Sequence, residues 1–418
     1  MKTKNKVAFL WDESFLWGLM AYKALKACNL SFELIRSDDI KNGELKNYRM
    51  LFVPGGWASN KMKTLGEEGI SEIKNFVNSG GNYLGFCGGA GLATLDGIGL
   101  LNIKRMPTKQ RVPSFSGRIH LNINGHPIWN SSLHHSITPS AIFHAWWPSQ
   151  FLIDDKTIKI LATYGDALPD SFSSDLNVGD VEANGGWSEL EDIYKINLDP
   201  TRLKNEPAVV EDSYGKGKVI LSLIHFDTPD DENGARVLKN LWQYLAERCS
   251  STTVRQCNIK NLQSSACSLQ SINEIESLVA DMINLGTRNF LWFWRNPMLL
   301  QWRRGVRGLE YCTLYAMIKE IAEIIKKQKS EVRSQKSDLN KIKELLMPFA
   351  EKAKQLLILE RYAMQNRHIT YKKCNDPEIQ EMRTELFGNS KSHGGLFKKL
   401  IDEVDNVLYA LIKNKEAQ

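Results

Sequence analysis

Gly85-Phe86-Cys87-Gly88-Gly89-Ala90-Gly91 stands between a short apolar run, Tyr83 to Phe86, and a stretch of helical character. A sharp strand-to-helix turn holds its central residue in a strained conformation and leaves little room for neighbouring side chains. Glycine two before and two after Cys87 supplies that room, and the side chain then projects at the C-terminal edge of the sheet, where open α/β folds bind ligands. The N-terminus of the following helix offers backbone N–H groups and positive potential, which favour a thiolate. Cys87 is therefore the candidate nucleophile.

Upstream, Tyr48 to Val53 reads as a strand ending in Pro54-Gly55-Gly56. In a parallel sheet that loop neighbours the turn at Cys87, so amides at Gly56 and Gly88 can converge on one point and form an oxyanion hole. Far downstream, Val219 to Ile224 runs into His225, with Asp227 two residues on. A cysteine facing an imidazole that a carboxylate orients is the arrangement of activated-thiol acyl transfer.

The surrounding pattern is α/β. Val7 to Trp11, Phe32 to Ile35, Tyr48 to Val53 and Tyr83 to Phe86 read as strands, and Phe15 to Cys28 and Gly69 to Asn78 as helices. Such alternation predicts βαβ units and a mostly parallel sheet flanked by helices. From about residue 97 to 225 short strand candidates, Arg118 to Ile123 and Ile158 to Tyr164, stand among Gly-, Pro-, Ser-, Asn- and His-rich loops. Ala208 to Tyr214 and Lys218 to Ile224 read as a hairpin, and Gly234 to Arg248 as a helix. The irregular middle holds His134-His135, His144 and Trp146-Trp147-Pro148. His144 and Trp146 are candidate pocket residues, as is Trp57; no companion Asp, Glu or Cys arrangement makes a metal site of them.

The Pro-Gly-Gly loop, the Gly-x-Cys-x-Gly turn and the late His-x-acid resemble the class I glutamine-amidotransferase-like superfamily, and within it the family named for the N-terminal domain of biotin–protein ligases. The resemblance spans residues 5 to about 248. It implies a flavodoxin-like sheet and a Cys-His-acid triad, carried here by Cys87, His225 and Asp227, with Gly56 and Gly88 as oxyanion donors and Gly55 beside them. The superfamily has His-Pro-Glu at the last site where this chain has His225-Phe226-Asp227, so the acid is one methylene shorter; Asp230, Asp231 and Glu232 are alternatives. In one branch of the superfamily an acid after the first strand touches the cysteine, and Glu13 is its counterpart. No Gly-Arg-Gly-x-x-Gly adenylate loop and no Gly-rich Lys-Ser/Thr phosphate loop occurs, so the chain is not expected to ligate biotin.

Residues 251–270 are polar and weakly periodic and read as a linker between a domain over 1–250 and a second over 271–418. The second is read as all-helical: 272–285, 287–301, 306–328, 338–346, 349–366, 376–387 and 395–413, punctuated by Pro297, Pro348, Pro377 and Gly394-Gly395. The aromatic stretch Phe290 to Trp302 fits the core or docking seam of a bundle better than a nucleic-acid contact.

Of the chain's net charge of +6, all lies beyond residue 260, where 25 Lys/Arg stand against 19 Asp/Glu. The basic residues interleave with Glu at helical spacing, as on a solvated helical surface. A protein partner is the alternative use of that surface, and nucleic acid is not favoured. Hydrophobic residues make up 42% and charged ones 24%, an ordinary globular balance. No run reaches the roughly 18 apolar residues of a membrane span. Seven cysteines without a CxxC argue for a reduced, cytoplasmic setting. The sequence thus predicts a cysteine hydrolase or acyl transferase of amidotransferase-like fold, acting on an amide or ester without a cofactor. The competing reading is a catalytically silent metabolite-binding or regulatory module of the same fold.

Overall fold

The computed structural model describes residues 6–130, 140–246, 266–327, 333–366, 376–389 and 392–417. The chain divides into two compact units, Met1–Ser251 and Thr252–Gln418. Most of the expected linker, and His134-His135, lie outside the described residues.

The first unit is built on a mixed eleven-stranded sheet. Its N-terminal half supplies β1 (Val7–Leu10), α1 (Phe15–Ala27), β2 (Glu33–Ile35), β3 (Met50–Val53), α2 (Ala58–Asn78), β4 (Asn82–Phe86) and the short α3 (Gly88–Ala93). Every residue of β1, β3 and β4 is buried. Strands covered on both faces need continuous apolar runs, and VAFL and MLFV are such runs. The helix over α2 starts eleven residues before the expected Gly69, because the chain passes through a non-helical kink at Gly66 (φ 62°) that reads as a breaker in the sequence.

The middle of the chain adds β5 (Phe115–Ile123), β6 (Ser140–Trp146), β7 (Lys159–Ala167), β8 (Pro207–Tyr214) and β9 (Gly217–Ser222), then α4 (Glu232–Leu245). Strand β6 falls where loops were expected. Its Ala141, Phe143 and Ala145 are buried while Ile142 and His144 are partly exposed, a period-two pattern that the histidines and tryptophans around it obscure. The β8–β9 hairpin forms as the sequence suggests, with Tyr214 paired to Gly217.

Parallel pairing joins β2, β1, β3, β4 and β9 in that order. That is the 2-1-3-4-5 order of flavodoxin-like sheets, with the last position taken by a strand from more than a hundred residues later. Beyond β9 the sheet continues antiparallel through β8, β7 and β5. The C-terminal ends of β3, β4 and β9 therefore lie side by side, which brings Pro54-Gly55-Gly56, Cys87 and His225 to one edge.

The second unit is mainly helical: α5 (Ala266–Arg288), α6 (Gly308–Lys327), α7 (Arg333–Asn366), α8 (Pro377–Phe387) and α9 (Gly395–Ala417). The expected helix over 287–301 is instead a two-stranded hairpin, Trp292–Trp294 against Leu300–Trp302. Three consecutive aromatics favour extended backbone, and Asn296-Pro297 supplies the turn, with the Asn296 carboxamide accepting from the N–H groups of Met298 and Leu299. The two helices expected on either side of Pro348 are one continuous α7. Among the described residues no helix is long and apolar enough to cross a membrane.

Candidate active site

Cys87 sits between β4 and α3 at φ 46°, ψ −103°, a region that residues with a side chain rarely occupy. Its N–H bonds the Ser222 carbonyl at 2.8 Å and its carbonyl receives the Gly91 N–H at 2.9 Å, so the turn is tied to β9 on one side and to α3 on the other. The Tyr83 hydroxyl, buried beneath, donates to the Gly89 carbonyl at 2.7 Å. The Cys87 side chain is partly exposed, whereas Cys28 and Cys312 are buried.

The two glycine loops touch. A Cβ on Gly88 would drive into the Gly56 carbonyl oxygen, and Gly56 itself (φ 114°) packs against the Glu13 carbonyl. Gly88 is the first residue of α3, so its N–H has no intrahelical acceptor. Gly55 borders the imidazole: a Cβ there would stand 3.3 Å from Cε1 of His225.

His225 and Asp227 are both fully buried, and Nδ1 of the imidazole lies 2.9 Å from Oδ1 of the carboxylate. The shorter acid therefore reaches. Burial pulls the imidazole pKa down, but Asp227 and then Cys87 more than offset it and raise it to about 10. The sulfur is near enough to exert that effect, yet Nε2 has no aligned hydrogen-bond partner. The ring is held from one side by Trp17, with centroids 4.7 Å apart. Trp17 in turn meets Trp147 edge-on at 6.2 Å.

The other expected residues are distributed around this group. The His225 N–H donates to the His144 carbonyl at 2.9 Å, which ties β6 to the site. The His144 ring faces Asp231 at 2.9 Å and stacks on Trp146. Trp146 is 2% exposed and donates its indole N–H to Thr228 at 2.9 Å, so it supports the 225–228 turn from behind. Asp231 also caps α4 through the Gly234 N–H. Glu13 adopts φ 55° and accepts from Asn60 at 3.1 Å. Trp57 precedes the first residue of α2. Among the described residues no group of three or more His, Cys, Asp or Glu side chains could hold a metal ion.

Sequence reasoning missed Trp17, Arg111 and Tyr164. Tyr164 is buried on β7 with no hydrogen-bond partner for its hydroxyl, and Arg111, in the loop before β5, donates to the Pro148 carbonyl at 2.8 Å. Nothing in their spacing marks them.

Cys87 thus stands at the turn between β4 and α3, with Gly88 against Gly56 and His225 bonded to Asp227. Residues 30–96 match the family of the biotin–protein ligase N-terminal region. That match contains the Pro54-Gly55-Gly56 loop and the turn at Cys87 and ends before His225. No curated protein matches the chain. Among solved structures, PurLQS from Thermotoga maritima is 15% identical, with a TM-score of 0.38, covering 58% of this chain and 100% of its own. A glutamine amidotransferase is 19% identical, with a TM-score of 0.37, covering 57% of this chain and 98% of its own. A cytoplasmic protein from Salmonella typhimurium LT2 is 11% identical, with a TM-score of 0.36 over 58% of this chain and 100% of its own.

Proposed function

We propose that the first unit is a cysteine-dependent hydrolase or acyl transferase acting on an amide or ester, and not a biotin ligase. The observation that carries this reading is the strained, partly exposed Cys87 beside an imidazole whose proton it helps to hold, with Asp227 bonded to the opposite ring nitrogen. A pKa of about 10 keeps His225 protonated at neutral pH, so the sulfur of Cys87 faces a cationic imidazolium. Sγ attacks the carbonyl carbon, and the oxyanion develops toward the amides of Gly56 and Gly88. His225 gives its proton to the departing nitrogen or oxygen as the bond to carbon breaks. Water, or an acceptor amine, then attacks the thioester while His225 takes up the proton, and Cys87 leaves as the thiolate. Asp227 holds the ring orientation throughout.

A nucleophilic thiol belongs in a reducing compartment, and Cys28, Cys87 and Cys312 are unpaired, so the cytoplasm is the proposed setting. The surplus positive charge of the second unit would serve an acidic protein partner.

The test is a panel of activated aryl esters and anilides with detection of a mass adduct mapped to Cys87. An adduct on Cys87 that turns over, and is lost with turnover in Cys87→Ala, supports the reading. Turnover that survives Cys87→Ala, or a Cys87 that no acyl donor modifies, contradicts it.

A further inference from the structure

Lys61, in the first turn of α2, is 1% exposed, an unusual place for a lysine. A buried ammonium is costly unless its N–H groups find acceptors. Its Nζ donates to the Asp12 carbonyl at 2.9 Å and to the Ser14 hydroxyl. The Ser14 hydroxyl in turn donates to the Leu10 carbonyl, at the end of β1, at 3.3 Å. One residue before Lys61, the Asn60 carboxamide donates to the Glu13 carboxylate at 3.1 Å. From the β2 side, the Asp12 carboxylate accepts the Ser37 N–H at 2.6 Å. The loop so gripped is strained: Glu13 stands at φ 55° and Phe15 at φ 46°, where residues with a side chain rarely sit.

This loop bears directly on the site. A Cβ on Gly56 would drive into the Glu13 carbonyl oxygen and stand 3.3 Å from Cα of Ser14. Gly56 also meets Gly88, where an added Cβ would stand 3.0 Å from the Gly56 nitrogen. Pro54-Gly55-Gly56 leads straight into α2, and the Lys61 N–H returns to the Trp57 carbonyl at 3.0 Å, so Lys61 belongs to the turn that follows the glycines. Two adjacent glycines rotate their peptide planes at little steric cost. An oxyanion donor is effective only when its N–H is aimed before charge develops. We propose that Lys61 is a positioning residue: by clasping Asp12 and Ser14 it holds the Glu13–Ser14 backbone against Gly56 and so fixes the Gly56 amide that receives the oxyanion. This rests on the reading of Cys87 as the acyl-accepting thiol. The competing role, a clasp that contributes stability alone, acts alike on every property of the site.

The experiment uses the full chain with p-nitrophenyl acetate and its thionoester, in which C=S replaces C=O. Attack on the thionoester places the developing charge on sulfur, a weak acceptor of N–H bonds, so the ratio of the two rates reads the oxyanion donors. Lys61→Met keeps the length of the side chain and removes its donors. It is expected to lower kcat on the oxoester by about ten- to a hundredfold with KM within about threefold of wild type, and to lower the oxoester-to-thionoester ratio by about tenfold. Ser14→Ala removes one acceptor of the clasp, should lower the ratio by about threefold, and covers the case in which Lys61→Met fails to fold. Iodoacetamide labelling of Cys87, which builds no oxyanion, should stay within about twofold of wild type in both variants. A ratio that neither variant moves overturns the proposal, as does a common fall in oxoester turnover, thionoester turnover and labelling. In either case a wild-type turnover that Cys87→Ala abolishes still stands, and only the role of Lys61 falls. Absence of any turnover that depends on Cys87 sinks the acyl-transfer reading and this proposal with it.

Discussion

Oδ1 of Asp227 stands 2.9 Å from Nδ1 of His225, and neither side chain is accessible to solvent. Two residues apart in sequence, they reach each other because the chain turns sharply after β9, with the Thr228 N–H returning to the His225 carbonyl at 3.2 Å. A turn this tight brings the acid close enough that the shorter side chain of aspartate suffices. The bond fixes the orientation of the ring and leaves Nε2 on the side away from the carboxylate.

Asp227→Asn keeps the shape of this contact and removes its charge. Turnover should fall by about 10²- to 10⁴-fold, and the melting midpoint at neutral pH should fall as well, because the buried imidazolium loses its counter-charge. Steady-state rates with an aryl ester, together with a thermal melt of the same preparation, check this. Unchanged turnover would mean that the carboxylate only fills space.

The His225 pKa, about 10 in the folded protein against 6.5 for a free imidazole, carries a pH dependence with a definite sign. The folded state holds this proton more tightly than the unfolded state. The resulting stability is fully present below pH 6.5 and is lost as pH rises through about 10. Urea unfolding of the first unit at a series of pH values between these limits should show a falling free energy, and the slope should flatten in Asp227→Asn. Parallel slopes for the two proteins would contradict the assignment.

Gly88→Ala should be severe, because its methyl group would enter the space of the Gly56 carbonyl. The expected loss is about 2 kcal/mol or more, with activity lost alongside it as the amides of Gly56 and Gly88, proposed to hold the oxyanion, separate. Differential scanning calorimetry and ester turnover measure the two effects.

In the second unit, the Arg383 guanidinium bonds the buried Glu360 carboxylate at 2.8 Å and the Gly305 carbonyl at 2.6 Å. Burial raises the Glu360 pKa to about 7 in spite of Arg383. Because that value exceeds the unfolded one, this group's contribution is present at pH 4.5 and is lost as pH rises through about 7. Arg383→Met removes the partner and should cost about 3–5 kcal/mol at pH 8. The cost should shrink at pH 5, where the acid is protonated. Equal destabilisation at both pH values would show that packing, not charge, is what Arg383 provides.

Much of this was legible in residues alone, for identifiable reasons. Cys87 is framed by glycines that local sterics demand, and His225 and Asp227 follow an apolar run, so the sequence singles out these three residues and the strand order brings the ends of β4 and β9 together. The parallel strands announce themselves because burial on both faces leaves no polar residue in VAFL or MLFV. What escaped depends on closure in three dimensions. Trp17 packs against the His225 ring from a helix more than two hundred residues earlier, and the His144 carbonyl accepts the His225 N–H from a strand the loops around it conceal. The hairpin at Trp292–Trp302 read as helix because Pro297 was taken as a break between helices and not, with Asn296, as the turn of a hairpin whose consecutive aromatics favour extended backbone.

The central claim is that the thiol of Cys87 is an activated nucleophile, and peptide-mapped iodoacetamide kinetics on the native chain at neutral pH test it most directly. Burial raises the Cys28 thiol and pushes that of Cys312 up to about 12, which makes both slow internal references. The account predicts that Cys87 reacts at least about tenfold faster than either, and that Asp227→Asn narrows the gap. A Cys87 that alkylates no faster than Cys28 or Cys312 would contradict it.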